Sequence, residues 1–324
     1  GIKMKFFFIS ILLCVWSTAI LSQVASVTSP NKQINVVVNA PNEFVSDTWF
    51  LRVNYDNNGS TQIIPKINLG LVRSDQNFSK DLQFLKTGKA RLITENYSTL
   101  HGKRSKCTNS ANEITVSFQN PGKAKLNLII RAYNDGIAFR YKFPEKNGTY
   151  LVKDELTAYF IPDSTKRWLE KYNPANEGLY SETVDGNIQK DWCYPALFNT
   201  ADKKCWFLIH EADVNRNYCG SKLTNYGDKN SYKITFPDQW NGRGTGETQP
   251  TVTLPWQSPW RVIIMGSLSD IVESTLVNDV STPSVIKDTE WIKPGVASWN
   301  YWSDNHGTKD FKTVCKFADL AAAF

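Results

Sequence analysis

The chain has 324 residues, enough for one large all-β domain or for one domain and part of another. Its 37 lysines and arginines exceed its 31 aspartates and glutamates, which gives a formal net charge of +6. This charge is spread along the chain without a block of consecutive basic residues, so the composition gives no indication of a nucleic-acid partner.

Residues 4–22 are predicted to be a signal peptide. Lys5 precedes a long apolar run, and small residues follow it near Ser22, where we expect cleavage. No second apolar run reaches spanning length, so the chain is not predicted to cross a membrane. The signal predicts a secreted, periplasmic protein. Cys14, inside the apolar run, leaves an outer-surface, lipid-anchored protein as the alternative.

Residues 24–266 are predicted to form one large, mainly β domain. Short segments of alternating apolar and polar residues are separated by turn sequences such as NNG, NPG, NDG and KNG. Many strands at this spacing, with no helix of normal length between them, indicate a large antiparallel sandwich. The predicted strands include QINVVVNA, WFLRVNYDNNGS, EITVSFQNPG, KLNLIIRAYNDGIAFRYKF, GTYLVKD, LTAYFIP, KCWFLIHEADV, SYKITF and WRVIIMGS.

The cysteines do not predict a disulfide framework or a zinc site. Five follow the signal, an odd number at wide spacings and without a CxxC pair. Cys193 and Cys205 could pair across neighbouring strands, and buried free thiols are the favoured alternative.

The segment HEADVNRNYCG follows an apolar strand and brings several polar side chains together: His210, Glu211, Asp213, Asn215 and Arg216. At the end of a strand, carboxylate and amide oxygens can bind a hard cation or the hydroxyls of a sugar. On spacing alone, the simpler alternative is a polar loop that caps the strand, with Arg216 paired to Asp213.

Residues 267–290 are predicted to contain a short linking helix, because SLSDIVESTLVNDV starts with a serine cap and has apolar residues at helical spacing. Residues 291–324 are predicted to form a strand, a loop and a helix. Asp310 lies in the first turn of that helix, and an apolar face is formed by Val314, Phe317, Leu320 and Ala321. One βα unit cannot fold alone, so we expect the start of a barrel or doubly wound sheet, cut just inside a second domain.

Polar and aromatic residues follow the predicted strand of this βα unit. Trp299, Tyr301 and Trp302 are candidate sugar-binding residues, since flat rings suit the apolar faces of pyranoses. The alternative is that these rings pack a barrel layer or a domain interface. Asp304 and His306 lie in the next loop, where His306 either contacts substrate or is simply solvated.

No familiar catalytic motif is present. The sequence lacks a nucleophilic serine elbow, a HExxH site and a P-loop. The glycines of WNGRGTGETQP have no strand-to-helix context, so this segment is predicted to be a loop. A glycosidase would need two carboxylates that flank the scissile bond, and no pair in the chain can be assigned that task. Such residues are expected beyond Phe324.

Taken in order, four segments make the chain resemble glycoside hydrolase family 97. They are LNLIIRAYNDGIAFRY, FLIHEADVNRNYCGSKL, SPWRVIIMGSLSDIVESTLVNDV and KPGVASWNYWSDNHGTKDFKTVCKFADLAA. The resemblance extends from about residue 24 to the last residue and rests on the whole set.

The resemblance implies a galactose-mutarotase-like β-super-sandwich that packs on its own (β/α)8 catalytic barrel, followed by a small β-domain. It identifies Glu211 as a calcium ligand at the barrel mouth, which agrees with the preference of Ca²⁺ for carboxylate oxygens. Asn215 and Tyr218, which follow in the same loop, are implied to line the same site, whereas Trp299, Trp302 and His306 are substrate-binding candidates from their residue types and position. This chain would then hold the sandwich and the first βα unit, without the main catalytic carboxylates.

The resemblance further implies hydrolysis of an α-linked oligosaccharide from its end. Inverting α-glucosidases of the family carry a Trp-Trp-Glu-like run after the first barrel strand, whereas SWNYWSDNHGTKD is closer to the retaining α-galactosidases. We therefore expect a retaining, calcium-assisted α-galactosidase. The alternatives are an inverting α-glucosidase of the same family and a non-catalytic carbohydrate-binding sandwich.

Overall fold

A computed structural model describes residues 22–57, 59–184, 186–241, 244–293, 295, 297–302 and 307–323. The predicted signal peptide, apart from its last residue, lies outside them. The described chain is mainly antiparallel β, as predicted, and its helices follow the last strand.

The strands are β1 (Gln23–Thr28), β2 (Ile34–Asn39), β3 (Phe50–Asp56), β4 (Ser60–Asn68), β5 (Leu71–Arg73), β6 (Gln83–Thr87), β7 (Arg91–Ser98), β8 (Lys106–Gln119), β9 (Lys125–Tyr133), β10 (Gly136–Phe143), β11 (Thr149–Glu155), β12 (Ala158–Phe160), β13 (Lys166–Leu169), β14 (Ser181–Thr183), β15 (Ala196–Asn199), β16 (Trp206–Ala212), β17 (Lys222–Thr224), β18 (Ser231–Thr235), β19 (Thr251–Thr253), β20 (Trp256–Gln257) and β21 (Trp260–Gly266). The helices are α1 (Leu268–Glu273), α2 (Leu276–Asp279) and α3 (Phe311–Ala322), with a 3-10 turn at Gly307–Lys309.

Two large sheets form the sandwich. One has the order β1-β2-β3-β4-β12-β18-β17, and the other has the order β14-β13-β15-β16-β21-β10-β9-β8-β6, with β20 paired to β10 and β7 to β8. A small third sheet has the order β19-β11-β5. The hairpin of β9 and β10 illustrates the sequence signal, because Tyr133 pairs with Gly136 and leaves Asn-Asp as the two-residue turn predicted from NDG.

Side chains of β21 show how the core is divided. Arg261, Ile263 and Met265 face the space between the sheets, where the main apolar cluster lies. Val262 and Ile264 point to the opposite face, where a smaller cluster includes residues of α1 and α2. Because both faces are covered, every residue of β21 is buried.

The predicted helix after residue 266 is confirmed, but it is divided in two. The Ser267 side chain caps α1, and the Asp270 carboxylate accepts a hydrogen bond from the Ser267 backbone N–H, which completes a capping box. Ser274 then leaves the helical conformation, and its hydroxyl donates to Asp135. Leu276 and Ile271 are buried in the smaller cluster, so these helices pack on the sandwich.

Backbone contacts divide the chain into two compact units. The first comprises the residues up to Thr94 and Asn109–Ser281, and the second comprises Glu95–Thr108 and Thr282–Phe324. In the second unit α3 is present as predicted, with Asp310 as its N-cap. The strand predicted ahead of α3 is not seen in the described residues between 284 and 302. A strand is defined by its hydrogen-bonded pairing with a neighbouring strand, and no strand pairs with the described residues of this segment.

Two other expectations bear on the cysteines and the membrane. Cys193 and Cys205 are free and buried, as favoured by the sequence. In the part of the chain that the structure describes, no helix has the length and apolar character that crossing a membrane requires.

Candidate functional site

Glu211 lies in a buried network of charged side chains at one end of the sandwich. It is the cross-strand partner of Arg261, since β16 and β21 pair Glu211 with Arg261 and Ala212 with Trp260. Directly opposed residues on one face of an antiparallel pair approach closely. Arg261 Nη1 donates to Glu211 Oε2 at 2.7 Å.

Arg261 also binds Glu155, the last residue of β11. Its Nε donates to Glu155 Oε1 at 2.9 Å and its Nη2 to Oε2 at 2.6 Å, a two-bond arrangement suited to the planar guanidinium. Both side chains are fully buried, whereas that of Glu211 is 9% exposed. Glu211 is therefore the member of the network that lies nearest to solvent.

Neutral side chains complete the hydrogen bonding. The Tyr218 hydroxyl donates to Glu155 Oε2 at 3.0 Å, and the Thr157 hydroxyl donates to Oε1 at 2.9 Å. Ser221 donates its backbone N–H to Glu211 Oε1 at 2.8 Å and its hydroxyl to Oε2 at 2.6 Å. The network thus ties the loop around Tyr218 and Ser221 to the core strands.

The electrostatics favour a permanently charged Arg261. Burial by itself lowers the pKa of Arg261, but the carboxylates of Glu155 and Glu211 outweigh this effect and raise the pKa above its ordinary value. Two carboxylates face one guanidinium, so the network carries an excess of negative charge. Burial, with Glu211 nearby, raises the pKa of the Cys219 thiol to about 12, which leaves it protonated and unsuited to act as a nucleophile.

The ion pairing in the loop after β16 differs from the prediction. Asp213 adopts a left-handed backbone conformation (φ 60°), which turns the chain away from the strand. Its Oδ2 lies 3.6 Å from Arg140 Nη1. Among the described residues Arg216 makes no ion pair, so the predicted pair of Arg216 with Asp213 is wrong. Asp213 pairs instead with Arg140 on β10, which lies beyond β21 in the sheet.

The other two predicted residues of this loop, Asn215 and Tyr218, differ in burial. Asn215 is exposed, and its Oδ1 accepts a hydrogen bond from the Asn217 backbone N–H at 2.8 Å. Tyr218 is buried, with its ring stacked on Trp256 at 5.4 Å between centroids. We therefore assign Tyr218 to the buried network rather than to a surface that contacts a sugar.

His210 lies on the opposite face of β16 from Glu211. Its Nδ1 accepts a hydrogen bond from the Glu211 backbone N–H at 2.9 Å, and its ring stacks on Tyr194. Burial lowers the pKa of His210. A neutral imidazole packed in this way is a structural element of the strand end.

Glu211 can serve as one ligand of a calcium ion, but the described residues do not form a whole site. Calcium takes about six to eight oxygen ligands. Within the described residues, Glu211 Oε2 has two hydrogen-bond donors, whereas Oε1 has one, the Ser221 N–H, and keeps a lone pair. No group of three or more His, Cys, Asp or Glu side chains that could hold a metal ion occurs among the described residues.

The predicted aromatic residues lie in the second unit. Trp299 stacks with Tyr301 and Trp302, at 6.4 and 5.4 Å between ring centroids, and all three rings are exposed. These rings are therefore accessible, as a sugar-binding role requires. His306 and Asp304 lie outside the described residues.

Sequence reasoning missed Glu155, Arg261 and Ser221 as members of the network. A lone arginine in the apolar strand WRVIIMG was the available signal, because a buried charge needs a partner. The sequence does not name that partner, since Glu155 lies 106 positions away.

A family model described as "Glycosyl-hydrolase 97 N-terminal" matches residues 27–283. "Probable retaining alpha-galactosidase" of Streptomyces bingchenggensis is 28% identical over 244 residues, 75% of this chain and 36% of that protein. "Retaining alpha-galactosidase" of Bacteroides thetaiotaomicron is 25% identical over 237 residues, 64% of this chain and 35% of that protein. The chain thus spans about a third of the length of these curated relatives.

Solved structures show the same fold. The crystal structure of a beta-arabinopyranosidase superposes with a TM-score of 0.84 at 25% identity, over 93% of this chain and 49% of that one. A glycoside hydrolase family 97 enzyme from Pseudoalteromonas sp. strain K8, in complex with acarbose, gives a TM-score of 0.78 at 21% identity, over 92% of this chain and 46% of that one.

Proposed function

The chain belongs to glycosyl-hydrolase family 97, whose N-terminal domain it carries, and on that premise we propose that it is part of an exo-acting α-galactosidase that retains the anomeric configuration. The observation that carries the proposal is the match of residues 27–283 to the family, together with the names of the two curated relatives. The run SWNYWSDNHGTKD, closer to the retaining members, supports the same choice.

We place the catalytic acids of this enzyme outside the described residues. Retaining glycosidases use two carboxyl groups about 5–5.5 Å apart that both reach the scissile bond. Glu155 and Glu211 are bridged by Arg261, and Glu155 is fully buried, so a substrate cannot reach it. This pair therefore holds the domain together and does not cleave the glycoside.

Calcium is part of the proposal. Glu211 would contribute one ligand through Oε1, and further oxygen ligands would have to come from elsewhere in the protein. When bound, the ion would supply positive charge to polarise the substrate and fix the sugar. The role of the chain itself is to hold Glu211 in one orientation through Arg261 and Ser221.

A pentoside is the second candidate substrate, because a structural neighbour at 25% identity is named a beta-arabinopyranosidase. β-L-Arabinopyranose has the ring configuration of α-D-galactose without the hydroxymethyl group, so one pocket can accept both. Two alternatives remain: an inverting α-glucosidase of the same family, and a carbohydrate-binding sandwich without catalytic activity.

The test uses the complete gene product that carries this chain, with the coding DNA beyond the Phe324 codon read first. Its kcat/KM is measured on nitrophenyl α-galactoside, β-L-arabinopyranoside and α-glucoside, and NMR identifies the anomer released first. We expect the α-galactoside to be the best substrate and the α-anomer to appear first. A preference for the α-glucoside with the β-anomer first would establish the inverting alternative, and binding without turnover would establish the non-catalytic one.

The exposed aromatic residues are tested in the same protein. We propose that Trp299 and Trp302 contact substrate, so Trp299→Ala and Trp302→Ala should raise KM without loss of folding. Trp291→Ala is the matched control, since Trp291 is also exposed. An unchanged KM in both variants would remove these residues from the site. Export is tested by sequencing the N-terminus of the secreted protein, which we expect near Ser22.

A further inference from the structure

A pocket lies on the sandwich beside β11 and β18, and it is also lined by residues 236–240 and 248–249. Its volume is about 520 Å³, within the range of small-molecule sites, about 300–1,000 Å³. The residues that matter for its chemistry are Lys153, Asp154, Asp238, Gln239, Trp240 and Gln249.

Trp240 is the most unusual residue of this pocket. Its side chain is 86% exposed, and no ring contact or hydrogen bond to it occurs in the described part of the chain. The exposed ring lines the pocket and is therefore open to a ligand that enters it. The flat face of an indole suits the C–H face of a pyranose ring.

The polar groups around Trp240 offer both donors and acceptors. Gln239 is exposed, and its side chain has no hydrogen-bond partner among the described residues. Its amide NH2 donor and its carbonyl oxygen acceptor are therefore both available. Gln249 Nε2 donates to the Lys153 carbonyl oxygen at 3.3 Å, which leaves Oε1 as an acceptor. Asp238 Oδ1 accepts from a backbone N–H within its loop, and Oδ2 stays available.

The charge of the pocket argues against an anionic ligand. Asp154 is paired with Lys233, Nζ to Oδ2 at 2.7 Å, which leaves Asp238 and Lys153 as opposite charges. Among the described residues that line the pocket there is no arginine, so this part of the pocket offers no guanidinium fork for a phosphate or carboxylate. Sugar hydroxyls, which both donate and accept, match such a nearly neutral mixture of amides and carboxylates.

We propose that this pocket binds a neutral pyranose sugar, stacked on Trp240 and hydrogen-bonded by Gln239 and Asp238. This goes beyond the proposed function, because it concerns binding by the sandwich itself and requires no turnover. One open aromatic platform gives weak binding, with a dissociation constant on the order of 1 mM.

The test is saturation-transfer NMR of the 324-residue chain with methyl α-galactoside, melibiose and maltotriose as probes. We expect saturable binding of at least one sugar that Trp240→Ala weakens by about tenfold, a loss typical of removing an aromatic anchor. Gln239→Ala should weaken the binding of the same sugar. Trp291→Ala, the matched control at a tryptophan that is 69% exposed, should leave that binding unchanged.

Each outcome decides the proposal. Absence of saturable binding in the unmodified chain overturns it and leaves the pocket as a contact surface for another part of the protein. Equal binding by the unmodified chain and the Trp240→Ala variant also overturns it, because the sugar then binds elsewhere. The proposed hydrolase function is assayed by turnover in the complete protein, so a failure of either proposal is recognised separately.

Discussion

Replacing Arg261 with methionine would test whether the buried network holds the sandwich together. Arg261 makes three hydrogen bonds of 2.6–2.9 Å to the carboxylates of Glu155 and Glu211. Methionine fills a similar volume but leaves two carboxylates without a counter-charge. Breaking a buried ion pair on one side costs about 3–5 kcal/mol, and we expect the free energy of unfolding to fall by this amount.

The assay is urea unfolding followed by circular dichroism at pH 7. Lys166→Met is the matched control, because it removes an ion pair of similar length, 2.7 Å, whose side chains are 41% and 47% exposed. Such a pair contributes about 0–1 kcal/mol. Glu211→Gln should lie between the two variants, since the two-bond contact of Arg261 with Glu155 stays in place.

A second substitution separates lost charge pairing from lost packing. Adding Glu155→Gln to Arg261→Met removes one of the two stranded carboxylates and keeps the volume of the side chain, so the double variant should recover part of the lost free energy of unfolding. A packing defect would not be relieved in this way. A loss below about 1 kcal/mol in Arg261→Met, or no recovery in the double variant, would refute the assignment of the network as the main electrostatic support.

Three further predictions concern single positions. Tyr218→Phe removes the hydroxyl bonded to Glu155 and keeps the ring, so the free energy of unfolding should fall by about 1–2 kcal/mol in urea unfolding, and no loss would mean that the hydroxyl is dispensable. Gly136→Ala places a Cβ against a carbonyl oxygen of the facing strand and should lower the melting temperature strongly. Gly295→Ala is the control and should leave the melting temperature unchanged, because there is open space around Gly295. Equal melting temperatures for the two variants would contradict the packing around Gly136. Because burial lowers the pKa of His210, the unfolded chain binds the proton first, so stability should fall as the pH drops below about 6.5, and His210→Gln should reduce this slope.

Most of the fold was predictable because its signals are local. Alternation of apolar and polar residues and the turn sequences indicated the strands, and NDG fixed the hairpin of β9 and β10. The serine cap at Ser267 and the acidic residue at Asp310 marked two helix starts correctly. The division of the first helix at Ser274 was missed, because it depends on a hydrogen bond to Asp135, a contact distant in sequence.

The candidate site was predicted less completely, for the same reason. Glu211 was recognised from its neighbours in the sequence and from the resemblance, but its partners, Ser221 and Arg261, come from two other segments. The resemblance implied that Tyr218 lines the site, and only the packing of its ring on Trp256 shows that it is buried. Sequence patterns indicate which residue types are present, whereas burial decides what each one can bind.

The arrangement of charge gives Glu211 its place in the proposed function. Glu155 and Glu211 share one guanidinium, so the network has more negative than positive charge. Glu155 is fully enclosed and has hydrogen-bond donors on both oxygens, so the excess charge can be balanced only at Glu211, whose Oε1 keeps a lone pair at the more exposed edge. A cation drawn to this edge would bind a carboxylate already fixed by Arg261 and Ser221, and the ordering of that side chain would add little to the entropy lost on binding. Structural support and ligand binding are therefore compatible roles for Glu211.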